Sequence, residues 1–197
     1  MGAKGITFKE TMTGPFSLGV SDPADGARNG RDEQNNLVMN ASVTIDDLDG
    51  FLSDVSHLGA LTGSIDFLPL GTGIHANRGK FNLFSPDKDA NTRFMVYELE
   101  FHHSGSDYYL AGRKCVRDDP GFDLIKDTTT LFTKLHDGLD ANGKVLGAGI
   151  LTLGVTDLVE LLKTVRVTGA KNNSEKIQTV SRFGSFFAGQ LWDVYGP

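Results

Sequence analysis

The sequence predicts a mainly β fold: an antiparallel β-barrel or a strongly curved sheet, with short helices and a C-terminal amphipathic helix. Three observations predict it. Residues 93–102 alternate, with Met95, Tyr97, Leu99 and Phe101 on one side and Phe94, Val96, Glu98 and Glu100 on the other. A period of two belongs to a strand with one buried face. Turn clusters separate such runs, among them Ser104-Gly105-Ser106-Asp107 and Asn142-Gly143. The 197 residues include 24 Gly and 13 Phe, and that glycine share is well above the ~7% average.

The elements follow in order. Residues 6–18 alternate around Ile6, Phe8 and Phe16 and read as an extended arm or first strand. The polar run 21–36 (SDPADGARNGRDEQNN) reads as a mobile loop. Residues 37–45 (LVMNASVTI) are a strand, and Asp46 and Asp47 then supply carboxylates for the N-terminus of a short helix near 46–53. A strand over 60–70 is followed by a loop at 71–77 and a further strand at 78–84. Residues 85–92 form a turn, and 93–102 and 108–116 make a hairpin. Residues 128–134 and 144–153 are strands, the second weakened by Gly147 and Gly149. Thr156-Asp157 can cap a helix carrying Leu158, Val159, Leu161 and Leu162, and 164–168 alternates like a final strand. Ile177, Val180, Phe183, Phe187, Leu191 and Val194 recur at steps of three and four, an amphipathic helix with Ser174 as its N-cap. Residues 43–48 and 153–158 share a weak strand–cap–helix echo that chance use of common caps also explains.

One β-rich domain over residues 1–197 is the expectation, because all-β domains reach about 200 residues as a unit. It divides into an N-terminal arm and mobile loop (1–36), a strand-rich body (37–169) and a C-terminal helix (174–195). The formal charge is −6 and no basic run occurs, which argues against nucleic acid as a partner. Arg78, Lys80, Arg93, Arg113, Lys114 and Arg117 are spread along strands, where alternation places many of them on a solvated face. Cys115 is the single cysteine, so no intrachain disulfide forms and a cytoplasmic location is the simplest expectation. No secretory signal and no transmembrane segment are visible.

Chemistry is thinly marked. Asp87, Asp89, Asn91 and Glu98 have EF-hand ligand spacing for calcium. Thr92 stands where the loop needs Gly, and strand-like sequence flanks the segment, so an exposed hairpin is the better reading and no metal is expected. His102 and His103 are adjacent on a strand and point to opposite faces. Asp118, Asp119, Asp123 and Asp127 cluster about a Pro-Gly turn, where turn capping outweighs acid–base work. No nucleophile elbow or Walker motif occurs, and no cofactor is expected.

The aromatic residues are the main clue. Phe81, Phe84, Phe94, Tyr97, Phe101, Tyr108, Tyr109, Phe122 and Phe132 fall in or beside the strand-rich middle. A lipocalin-like or calycin-like barrel either fills its interior with side chains or holds one apolar ligand. Both demand apolar inward faces, so both stay open. The cavity candidates are Tyr97, Leu99, Phe101, His102, Tyr108 and Leu110.

Four segments occur together in order: Phe8-Lys9-Glu10-Thr11-Met12; residues 78–84 (RGKFNLF); residues 118–123 (DDPGFD) with 127–132 (DTTTLF); and Arg182-Phe183-Gly184 with residues 187–192 (FAGQLW). This set resembles an accessory region, outside the flavin-binding part, of bacterial cholesterol-oxidase-like proteins in the glucose–methanol–choline oxidoreductase family. No Gly-x-Gly-x-x-Gly follows a strand, so the resemblance brings no flavin oxidase activity and no catalytic residue. It implies proximity to sterol or lipid metabolism.

The expected function is therefore a non-catalytic binding module for a lipid-like or sterol-like molecule. One alternative is an enzyme of the cyclase, isomerase or hydrolase kind that uses Tyr97, Tyr108, His102 and Glu98. Another is a protein-interaction domain that docks an oxidoreductase through its C-terminal helix.

Overall fold

The computed structural model describes residues 2–87, 92–117, 128–154 and 163–195. The strands β1 (Gly5–Leu18), β2 (Asn36–Ile45) and β3 (Leu58–Phe67) run antiparallel in sequence order. Next come β4 (Gly71–Ala76) and β5 (Arg78–Pro86), which share β3 as a partner, β4 along its second half and β5 along its first. The meander continues through β6 (Thr92–His103), β7 (Ser106–Arg117), β8 (Thr130–Asp137) and β9 (Val145–Thr152). Pairing of β9 with residues 13–18 of β1 closes an eight-stranded antiparallel barrel. A short β10 (Arg166–Thr168) takes the other end of β1, at residues 5–7. Between these two partners the Thr164 hydroxyl donates to the Lys9 carbonyl and accepts from its N–H.

Alternation decides what fills the barrel. Ile6, Phe8, Met12 and Phe16 of β1 face inward with Leu37, Met39, Val43 and Ile45 of β2, and all are buried. Phe81, Tyr97 and Leu99 continue the lining on β5 and β6, and Leu110, Leu131, Leu135 and Leu151 complete it. Rings meet edge to face: Phe16 on Phe67 at 5.2 Å, Phe8 on Phe81 at 6.0 Å, and Phe81 on Tyr97 at 5.1 Å between centroids. Side chains thus occupy the interior at these levels. Inward glycine is what lets large rings fit, since a Cβ on Gly149 would lie 2.7 Å from the Phe16 ring. The β6–β7 hairpin turns on Ser104 and Gly105, both at positive φ (51° and 82°), as a two-residue primed turn requires.

Three helices pack on the barrel among the described residues: α1 (Pro23–Asp32), α2 (Leu48–Ser53) and α3 (Asn173–Tyr195). α3 lies over the end of the barrel formed by Phe8, Phe84 and α2. Phe183 reaches Phe8 (6.2 Å), Phe186 reaches Phe51 (6.0 Å), and Phe187 reaches Phe84 (5.1 Å).

The barrel, the short helix after β2 and the C-terminal helix agree with the sequence reading. Four expectations are corrected. Residues 21–36 are not a loop: Asp22 accepts from the N–H groups of Ala24 and Asp25, Pro23 opens the helix, and α1 forms. Residues 71–77 are mostly strand, because β3 extends past the end of β5 and its free edge pairs with β4. The cap of α3 is Asn172 rather than Ser174: its Oδ1 accepts from the Glu175 N–H, and Glu175 accepts from the Lys171 N–H. Lys114 is not on the solvated face but is 2% exposed inside the barrel. The helix expected near 156–162, the carboxylate cluster at 118–127, and Asp89 and Asn91 of the calcium spacing lie outside the described residues.

Candidate functional site

Among the described residues, the barrel interior brings a polar group of three side chains together. On β1, Glu10 sits at an inward position between Phe8 and Met12. On β7, Lys114 sits inward between Gly112 and Val116, and on β6 Tyr97 pairs with Gly112. The strand period therefore turns all three side chains toward the apolar barrel interior, where each is buried. The Lys114 ammonium donates to the Tyr97 hydroxyl at 3.3 Å and lies 4.9 Å from the Tyr97 ring centroid. Its distance to Glu10 Oε2 is 3.9 Å, with both side chains 2% exposed, so this is a charge pair without a direct hydrogen bond. Glu10 Oε1 is buried and has no hydrogen-bond partner.

The electrostatics follow from burial. Loss of water holds the Lys114 ammonium below its usual range, and the Glu10 charge opposes that shift. Burial raises the Tyr97 phenol well above its usual value, and the Glu10 carboxylate adds to the effect through its charge and a hydrogen bond with the phenol, which leaves Oε1 as the carboxylate oxygen without a partner. A buried ion pair is generally no more stabilising than apolar residues of the same size. An unsatisfied buried oxygen costs about 1–3 kcal/mol on its own. Packing alone thus gives no reason for these three residues at these positions.

The constellation lies one inward position below Phe8, whose ring meets Phe183 of α3. The end of the barrel nearest Glu10 on this strand is therefore covered by α3. The rings that hold α3 down are Phe183, Phe186 and Phe187, and all three are only half-buried. His57 joins the contact, with its ring 4.7 Å from Phe186 and its Nδ1 2.8 Å from the Leu83 carbonyl.

No protein-family model, curated protein or solved structure matches this chain.

The structure sorts the residues singled out from the sequence. Tyr97, Leu99, Phe101 and Leu110 are buried on the inner wall, and half-buried Tyr108 stacks on Phe101 at 5.3 Å. His102 is turned outward, with Nδ1 2.8 Å from Asp107. It borders a surface hollow of about 580 Å³ with His75, Arg78 and Glu100. Glu98 also faces outward, beside Tyr109, whose hydroxyl is pushed up by burial and by that carboxylate. The four residues of the enzyme alternative do not converge, because Tyr97 and Tyr108 face the interior while His102 and Glu98 face away. No cluster of three metal-ligating side chains occurs among the described residues, and no helix among them is long and apolar enough to cross a membrane. Sequence reasoning missed Glu10 and Lys114. Their signal was a charge at an inward position of an otherwise apolar alternation.

Proposed function

We propose that the protein binds a hydrophobic small molecule inside the barrel and that Glu10, Tyr97 and Lys114 hold its polar end. The observation that carries this reading is the unpartnered Glu10 Oε1 beside Lys114 in an apolar interior. Buried polar groups are ordinarily satisfied, and a ligand group supplies the missing partner. Apolar walls give the affinity and a few convergent polar groups fix the orientation. Entry is beneath α3, whose half-buried rings release the barrel end more readily than a fully buried seam would. Lipid-like and sterol-like molecules are the first candidates, in keeping with the resemblance to the accessory region of cholesterol-oxidase-like proteins. The reading is non-catalytic. Docking of an oxidoreductase would fall to the outer stripe of α3, where Ile177 and Trp192 are 71% and 67% exposed, since the inner stripe is engaged with the barrel.

The test is native mass spectrometry of the full chain after mild extraction, with titration of the apolar dye Nile red. Saturable one-site uptake is expected, weakened by Lys114→Met. Uptake that never saturates, with no co-purified molecule, would refute the reading.

A further inference from the structure

We propose that the ligand's polar end is a hydroxyl group and that Glu10 selects it over a carboxylate. This deepens the binding reading above and rests on it.

An ionised carboxylate oxygen only accepts hydrogen bonds, so the partner missing from Glu10 Oε1 is a donor. An ammonium carries three N–H bonds, and the hydrogen bond of Lys114 Nζ is the one to the Tyr97 hydroxyl. A wanting acceptor and spare donors thus lie side by side in the barrel interior. A hydroxyl meets both needs, because one oxygen donates and accepts. A ligand carboxylate would bring acceptors alone and set a second negative charge against Glu10. A ligand ammonium would bring donors alone and set a second cation beside Lys114.

The wall beside Glu10 suits an apolar body. Glu10 pairs with Ala41, Ala41 with Gly63, and Gly63 with Ala76. Three successive strands therefore place nothing larger than a methyl group at this level. Phe8 and Met12 flank Glu10 on its own strand, and both are buried.

The experiment is displacement of Nile red from the full chain at neutral pH by dodecanol, dodecanoate and dodecane. A hydrogen bond to a charged group favours dodecanol over dodecanoate by about tenfold or more. In Glu10→Gln the repulsion is gone and the amide can donate, so the ratio is expected to fall to about threefold or less. Equal or better displacement by dodecanoate, equal displacement by dodecane, or a ratio unchanged in Glu10→Gln would each overturn the hydroxyl proposal while leaving the binding reading intact. Absence of saturable Nile red uptake by the wild-type chain would instead bring down the binding reading, and the hydroxyl proposal with it.

Discussion

Helices α1 and α3 sit on the same barrel by opposite means. α1 has no large apolar side chain. Its buried face is Gly26, Ala27 and Gly30, and it approaches the β1–β9 seam until backbone nearly touches backbone. A Cβ on Gly26 would lie 2.0 Å from the Ala148 carbonyl oxygen, and one on Gly30 would lie 2.4 Å from the Phe16 nitrogen. The chain leaving α1 then bonds back to β1, where the Phe16 N–H donates to the Asn35 carbonyl at 3.1 Å. α3 reaches the barrel mainly through half-buried aromatic rings, with Val194 buried near its end, and neither of its glycines makes a comparable backbone approach. A backbone seat has no slack, whereas a seat of rings can be lifted and reset by rotamer changes. The first suits a clasp on the seam where the barrel closes, and the second suits a cover over the way in.

The largest expected effect tests the clasp. Gly26→Val drives a branched side chain into the Ala148 carbonyl, and overpacking of this kind costs about 3 kcal/mol. The melting temperature of the whole domain should fall on the order of 10 °C, because the seam and the barrel open together. An unchanged melting curve would show that α1 is no clasp.

Phe186→Ala comes next. It removes ring contacts with Phe51, His57 and Phe84. The ring is only half-buried, so the cost is about 1–2 kcal/mol, below the 3–5 kcal/mol of a fully buried phenylalanine. Backbone hydrogen exchange should rise across α3 and leave β2, β3 and β7 protected. Exchange that rises equally everywhere would make α3 as integral as α1 and erase the distinction.

The same contrast explains what was legible in the sequence. The strands were readable because each buries one face: Met95, Tyr97, Leu99 and Phe101 alternate without interruption. α3 was readable because its ring contacts need large apolar residues at helical spacing. α1 was not, since close backbone approach demands the glycines that make a sequence look like a loop. Its start was nonetheless marked by Asp22-Pro23, an N-cap followed by proline. β4 was missed because its pairing depends on where β5 ends, a tertiary matter. Among the site residues, Tyr97 was legible from alternation. Glu10 and Lys114 occupy equally regular positions, but charged residues so rarely face a core that Lys114 is assigned with the other strand cations to a solvated face and Glu10 is passed over.

A smaller effect separates the helices by pH. Burial holds His57 below its ordinary value of 6.5, opposed by the Leu83 carbonyl and the Asp54 charge, while Arg93 adds to the lowering. The unfolded chain takes up this proton at about pH 6.5 and the folded chain only at lower pH. The stabilisation is therefore complete above about pH 6.5 and is lost as pH falls through the folded value. The seat of α3 should weaken as the pH falls below about 6.5, with no counterpart at α1. His57→Asn, which tolerates the positive φ of 43° at this position, should flatten that dependence in α3 hydrogen exchange. A wild-type profile as flat as the variant's would remove His57 from the seat.

The smallest effect concerns the ion pair at the rim of α3. Arg182 and Asp49 approach to 2.6 Å, but their side chains are 48% and 76% exposed. Exposed pairs are worth about 0.2–1 kcal/mol and are screened by salt. Arg182→Ala should therefore shift the melting temperature by no more than about 2 °C, and the shift should vanish at high salt. The variant should bind Nile red as the wild type does, because the rings rather than the charge seat the helix. A rise in α3 hydrogen exchange matching that of Phe186→Ala would mean that α3 is pinned electrostatically at its edge. The cover would then be a latch with one bolt rather than a bed of rings.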